Sequence, residues 1–134
     1  MKRIILITGV CIIAVAGIII YRMWNKPHKT VEDEAGIKIT AAQLCKEYAA
    51  DENAANVKYL NHAISVSGVI SETDKNQDGG LMIILQAEDP MQAVECAMRD
   101  KNVTAEKGKN ITLKGFCSGS KITGVSLTDC VVEK

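Results

Sequence analysis

The segment of the chain with the strongest chemical pattern is residues 74–79, which read D-x-N-x-D-G. Its carboxylate and amide side chains stand at alternate positions: Asp74, Asn76 and Asp78. This order matches the first half of a calcium-binding loop, whose twelfth position is a glutamate that binds through both oxygens. That position is Leu85 here, and only Glu72 or Glu88 could fold in from outside the loop. Because Asp, Asn and Gly also favour tight turns, we interpret the segment as a hairpin turn and keep calcium as the weaker alternative.

The remaining reactive side chains give no catalytic grouping. Neither His28 nor His62 stands near a cysteine or carboxylate cluster with the spacing of a metal site or a catalytic triad. The chain has no G-x-S-x-G, phosphate-loop or H-E-x-x-H motif. We therefore expect a protein without enzymatic activity, a resident metal or a cofactor.

One helix is predicted ahead of the strands. Residues 40–43 form a capping box, in which the Thr40 hydroxyl covers the first turn and Gln43 reaches back to the Thr40 N–H. Leu44, Tyr48 and Ala55 follow at helical spacing and predict a buried stripe. We expect this helix to end near Asn56.

Five segments have the apolar pattern of short strands: Ala63–Ile70, Leu81–Gln86, Ala93–Met98, Asn110–Cys117 and Gly124–Val132. The polar stretch 71–80 is predicted as a hairpin loop, and residues 118–121 as the turn between the last two strands. One helix followed by five short strands, with glycine bends in two of them, fits the OB fold, a small closed barrel. The fold class is therefore mainly β, with a five-stranded OB-fold barrel at residues 39–134.

An apolar run of seventeen residues lies near the N-terminus, from Ile4 to Ile20. Extended by Tyr21, Met23 and Trp24, the run is long enough for a helix that crosses a hydrocarbon core of about 30 Å. We expect residues 1–25 to be a membrane anchor and residues 26–38 a tether. The alternative is a secretory signal cleaved after the A-x-A sequence at 14–16. Both alternatives send the barrel across the membrane, so we expect a single-pass membrane protein with an extracytoplasmic, periplasmic domain.

The net charge of zero hides an acidic domain. From residue 30 onward the chain has eleven basic and sixteen acidic residues, which gives this part a charge of −5. Its aromatic side chains are few: Tyr48, Tyr59 and Phe116. Proteins that bind single strands without sequence preference combine a basic groove with aromatic stacking, so this composition disfavours a nucleic-acid ligand.

Several short patterns in the domain resemble one known family. They are Asp51-Glu52-x-Ala54-Ala55-Asn56-x-Lys58-Tyr59, Ile64-x-Val66-x-Gly68-x-Ile70, Val94-x-Cys96, Gly108-Lys109-x-Ile111-x-Leu113-Lys114-Gly115-x-Cys117-x-Gly119 and Leu127-x-Asp129-Cys130. Their combined spacing, over about residues 39–132, resembles the bacterial tRNA-anticodon-binding-domain-like (tRNA_anti-like) OB-fold proteins. The resemblance implies export and a lipid or membrane anchor, while the family name records a fold and establishes no nucleic-acid ligand. The chain departs from the family at His62, where a lysine is common, in a short connector after Cys96, and in the additional Cys45.

The resemblance also singles out candidate site residues. Lys58 and Tyr59 could line a binding surface, although Tyr59 is better explained as an anchor between the helix and the barrel. Cys96, Cys117 and Cys130 recur in the family-like patterns and are disulfide candidates for an oxidising compartment. Cys96 could pair with Cys117, which shares its inward parity, or with Cys130 on a neighbouring strand; all could also remain buried thiols.

These observations lead to one functional hypothesis and one alternative. The hypothesis is a membrane-tethered OB-fold module that binds an envelope protein or a small ligand without catalysis. The alternative, from fold analogy, is an OB-fold protein that binds single-stranded nucleic acid such as tRNA or an oligonucleotide, with the sheet face and the loop Ser71–Gly80 forming the groove.

Overall fold

The structure is a computed structural model that describes residues 2–25 and 30–134, with side chains described from residue 7 in the first range. Its first element, α1, is an α-helix from Lys2 to Trp24. Residues 7–24 have a mean hydropathy of 2.0, so the helix is long and apolar enough to cross a membrane, a criterion that a signal sequence also meets. His28 and the first part of the predicted tether lie outside the described residues.

The domain begins with a 3-10 turn at Val31–Asp33, whose Val31 side chain is fully buried. The elements that follow are β1 (Ile37–Thr40), α2 (Ala41–Ala50), α3 (Glu52–Tyr59), β2 (Ala63–Lys75), β3 (Leu81–Gln86), β4 (Ala93–Met98), β5 (Asn110–Lys121) and β6 (Gly124–Val132). The predicted bounds of β3, β4 and β6 are confirmed.

Five of the strands close into the predicted barrel. Their order around it is β2, β3, β4, β6 and β5, and the antiparallel pairing of β5 with β2 completes the circle. The pairing of β4 with β6 is parallel, which confirms that the third and fifth barrel strands are neighbours. This is the strand plan of an OB fold.

Apolar side chains at alternate positions along the strands fill the barrel interior. The largest fully buried barrel side chains are Ile64, Val66, Ile70, Ile83, Leu85, Val94, Leu113, Val125 and Leu127. Helix α2 closes one end with Leu44 and Tyr48, which belong to the same core. It approaches β2 closely at Gly68, where an added Cβ would lie 3.0 Å from the Cβ of Ala41.

The prediction of a single helix is wrong, because the helical segment divides at Asp51 into α2 and α3. The backbone of Asp51 is extended, and its Oδ1 accepts a hydrogen bond of 3.1 Å from the N–H of Ala54. An aspartate in this position caps a second helix better than it continues the first.

The Thr40 cap is confirmed by a 3.2 Å hydrogen bond from the Gln43 N–H. The Gln43 side chain, however, donates to Glu47 at 3.0 Å rather than to the Thr40 backbone.

The structure also corrects three strand predictions. Strand β1 was not predicted and pairs in parallel with β2, so the sheet begins at residue 37, inside the predicted tether. Strand β2 continues to Lys75 through residues predicted as loop. Strand β5 continues to Lys121, which moves the hairpin tip to Ile122 and Thr123. Gly119 accompanies a register shift within the pairing of β5 with β6, so it marks a β-bulge rather than the turn.

Candidate functional site

OB-fold barrels bind ligands on the face of their second and third strands, between the loops that join strands one and two and strands four and five. In this chain those strands are β3 and β4. The loops are the β2–β3 turn at residues 76–80 and the β5–β6 tip at residues 122–123. Because Ile83, Leu85, Val94 and Cys96 point into the core, the alternate side chains point outward. We call this surface the β3–β4 face; its residues are Met82, Ile84, Glu95 and Ala97, with Glu72 and Asp74 beside them on β2.

The register places carboxylates on both sides of the apolar centre. Met82 pairs with Asp74 on β2 and with Ala97 on β4. Ile84 pairs with Glu72 on β2 and with Glu95 on β4. Directly opposed side chains in a sheet have Cβ atoms about 5 Å apart, so each apolar side chain has a carboxylate as its immediate neighbour.

The β5–β6 hairpin neutralises one of these carboxylates. Lys121 Nζ and Thr123 Oγ1 each donate to Glu95 at 3.0 Å. Among the described residues, neither Glu72 nor Asp74 has an ion pair within 4.0 Å. The side of the face next to β2 therefore keeps its negative charge.

Two side-chain oxygens of the calcium-like segment accept backbone N–H groups at the β2–β3 turn. Asn76 Oδ1 accepts the N–H groups of Asp78 at 3.1 Å and Gly80 at 2.6 Å, and Asp74 Oδ1 accepts the N–H of Lys75 at 2.7 Å. Within the described residues, no three His, Cys, Asp or Glu side chains form a group that could hold a metal ion. The antiparallel pairing of β2 with β3 confirms the predicted hairpin, and the Asn76 oxygen is engaged in its turn.

Tyr59 is an anchor rather than part of a surface. Only 1% of the residue is exposed, so its ring offers no face to a ligand, and this burial fits the interpretation of Tyr59 as an anchor between the helix and the barrel. Its OH donates to Glu47 Oε2 at 2.7 Å, and the exposed Lys58 donates to the same oxygen at 3.0 Å. Hydrogen bonds from Gln43, Tyr59 and Lys58 lower the pKa of Glu47 to about 2. This network ties α3 to α2.

The structure separates two of the three disulfide candidates. Leu127 of β6 pairs with Cys96 on one side and with Cys117 on the other. Cys96 and Cys117 are therefore two strands apart, about 9–10 Å between Cα atoms, which is too far for a disulfide. Cys117 Sγ instead lies 3.3 Å from Tyr48 Oη.

Cys96 lies beside Cys130 in the core. Both residues are fully buried, and the pairing of Met98 with Cys130 places the two cysteines on adjacent strands. A hydrogen bond with the Cys130 side chain, together with burial, raises the pKa of the Cys96 thiol well above its usual value. Both are free thiols in the structure, so a disulfide between them stays a prediction.

Sequence reasoning identified none of the outward residues of the β3–β4 face, because the central ones are apolar. Met82 and Ile84 lie in the run Leu81–Leu85, where outward and inward positions have the same character. Their outward position follows only once the strands are arranged as a barrel. The period-two rule and the binding surface of OB folds together are the signal that could have found them.

The chain is similar to known proteins in sequence and in fold. The tRNA_anti-like family model matches residues 1–131, which include α1 as well as the barrel. A crystal structure of a candidate nucleic acid-binding lipoprotein from Klebsiella pneumoniae subsp. pneumoniae matches with a TM-score of 0.54 and 18% identity, covering 72% of this chain and 92% of that chain. At this identity the likeness shows a shared fold. No curated protein matches the chain.

Proposed function

The chain belongs to the tRNA_anti-like family, and from that premise we propose that it is a non-catalytic binding module of the bacterial cell envelope. In this proposal α1 stays in the membrane and holds the barrel on the extracytoplasmic side. The β3–β4 face then binds an envelope protein or a small ligand. The apolar helix of this chain and the lipoprotein nature of the Klebsiella structure are consistent with a membrane-associated envelope protein.

The chemistry of the β3–β4 face is the observation that carries the proposal. Met82 and Ile84 provide an apolar centre, and Glu72, Asp74 and Glu95 surround it with carboxylates. An apolar centre with a polar rim is the usual arrangement of a protein-binding surface. The outward residues of this face include no aromatic ring on which a base could stack.

Binding of single-stranded nucleic acid is the second candidate, because the Klebsiella structure of the same fold carries that suggestion in its name. The charged side chains of the β3–β4 face oppose nucleic-acid binding there. Lys121, the basic side chain that reaches the face from the β5–β6 hairpin, is already paired with Glu95 at 3.0 Å. A phosphate backbone would therefore meet unpaired carboxylates rather than cations.

Fluorescence anisotropy with labelled oligonucleotides separates the two candidates. The full chain in a neutral detergent is titrated into DNA and RNA at low salt and again at physiological salt. We expect no binding at micromolar protein. Micromolar binding that weakens steeply with added salt is the result that would establish the nucleic-acid candidate instead.

A pull-down from solubilised membranes tests the protein-binding role of the face. A tagged full chain carrying Ile84→Glu should lose the partners that the unmodified chain retains, because a charge would replace the apolar centre. Val57→Glu is the matched control, since Val57 is 84% exposed on α3, outside the β3–β4 face. Retention of the same partners by the Ile84 variant would reject the face as the binding surface.

A further inference from the structure

A second surface of the barrel brings hydroxyl and ammonium groups into register. It lies where β2 pairs with β1 on one edge and with β5 on the other. Ser65 of β2 pairs with Lys38 of β1 and with Lys114 of β5, so a serine stands between two lysines at the same level. Two residues further along β2, Ser67 pairs with Thr112 of β5. The neighbours Ile64 and Val66 point into the core, so this row faces outward.

The Ser65 hydroxyl is buried without a hydrogen-bond partner among the described residues. The residue is 3% exposed, and its Oγ is one of the buried polar atoms that no described group satisfies. Gly36 passes over it so closely that an added Cβ would lie 2.6 Å from this oxygen. Buried hydroxyls almost always have a partner in folded proteins, so an unsatisfied one beside a groove indicates that a ligand or water supplies it.

Ser65 is one of the residues that line a groove of about 300 Å³. Ser67, Thr112, Lys38 and Lys134 line it as well. Among the described residues, Lys38, Lys114 and Lys134 form no ion pair within 4.0 Å.

The acidic groups near the groove leave it with a positive excess. Glu133 also lines the groove, and its backbone N–H donates to Thr112. Hydrogen bonds from Thr30 are the main cause of the lowered pKa of Asp33, and the charge of Lys114 adds a smaller lowering. The charged side chains that line the groove are thus two lysines and one glutamate, and Lys114 stands beside Ser65 in the register of β5, in a domain that is otherwise acidic.

We propose that this groove binds a phosphate oxyanion, carried either by a lipid headgroup or by a small soluble phosphate compound. Hydroxyl groups at two levels and ammonium groups on both sides suit a tetrahedral anion, whose several oxygens each accept a hydrogen bond. A planar carboxylate has fewer acceptor sites for so many donors. The groove and the β3–β4 face use different stretches of β2, so this site does not depend on the proposed function.

The test measures the thermal unfolding midpoint of the full chain in a maltoside detergent by circular dichroism. One arm adds inorganic phosphate against chloride of equal ionic strength, and the other adds phosphatidylglycerol against phosphatidylcholine. When the ligand concentration equals its Kd, binding should raise the midpoint by about 2–3 °C. A rise with phosphatidylglycerol alone assigns the site to a headgroup, and a rise with inorganic phosphate assigns it to the phosphate group itself.

Three variants distinguish a specific site from general charge effects. Ser65→Ala should be at least as stable as the unmodified chain without ligand, because it removes an unsatisfied buried hydroxyl, yet it should lose most of the ligand-induced rise. Lys114→Gln should also lose most of the ligand-induced rise in the unfolding midpoint. Lys75→Gln, an equal change in charge on the exposed β2–β3 hairpin, should keep it. The proposal is overturned if neither ligand shifts the midpoint, or if all three variants respond as the unmodified chain does.

Discussion

Replacing Glu47 with Gln should destabilise the domain at neutral pH and leave it almost unchanged at strongly acidic pH. Glu47 accepts hydrogen bonds from Gln43, Lys58 and Tyr59, of which the Tyr59 contact at 2.7 Å is the shortest. These donors favour the ionised carboxylate and lower its pKa from 4.5 to about 2. The residue is on α2 and accepts hydrogen bonds from two side chains of α3, so its ionisation is coupled to the packing of the two helices.

The size of the effect follows from the difference between the two pKa values. A carboxylate with a lower pKa in the folded state contributes stability above its unfolded pKa and loses it as the pH falls through the folded value. The window for Glu47 therefore runs from about pH 4.5 down to about pH 2. The shift corresponds to roughly 3 kcal/mol without screening. Because 28% of the side chain is exposed to solvent, we expect about half of this, ~1–2 kcal/mol.

Urea denaturation of the full chain, followed by circular dichroism from pH 7 to pH 2, measures this dependence. The unmodified chain should lose stability through the window, and the Glu47→Gln curve should meet it near pH 2. Glu88→Gln, a change at an exposed carboxyl in the β3–β4 connection, should run parallel to the unmodified curve. An undiminished acid slope in the Glu47 variant would refute the assignment of this carboxylate as the acid-sensitive group.

Three further predictions concern the turn, the core and the cysteines. Asn76→Ala should cost about 1–2 kcal/mol in urea denaturation, because two turn N–H groups lose their acceptor, whereas Gln77→Ala should cost little. Leu127→Ala should cost about 3–5 kcal/mol by the same measurement, since the fully buried side chain separates two core cysteines. Alkylation of the unfolded, unreduced chain should add labels to three of the five cysteines by intact mass, with peptide mapping placing the unlabelled pair at Cys96 and Cys130; labelling of all five would contradict this.

The sequence predicts an element well where a single physical signal defines it. Strand β4 alternates between buried and less buried residues, and both β4 and β6 start beside a polar turn, which defines their bounds. Thr40 was found because the sidechain of a cap acts within its own helix turn. Strand β1 has only four residues and none fully buried, which leaves no periodic signal to detect. Its position depends on pairing with β2, a contact that its own residues do not encode.

The candidate surfaces were harder to predict, because each combines residues from separate strands. Ser65, Lys38 and Lys114 are distant in the sequence and meet only through the pairing of β2 with both neighbours. Ser65 is an ordinary outward strand residue in the sequence, and only the passage of Gly36 above it makes it buried and unsatisfied. Such features depend on long-range register, which composition and local periodicity do not determine.

The net charge of the domain is a poor guide to its ligands, because β2 carries opposite charge environments along its length. Its first part, at Ser65, lies between two lysines, and its second part bears Glu72 and Asp74 on the β3–β4 face. The two parts of β2 have different charged neighbours because the strand curves around the barrel and faces two directions. The distribution also locates any nucleic-acid binding that anisotropy detects. If a steep salt dependence disappears in Lys114→Gln, the phosphates occupy the groove, and the acidic β3–β4 face remains available for a different partner.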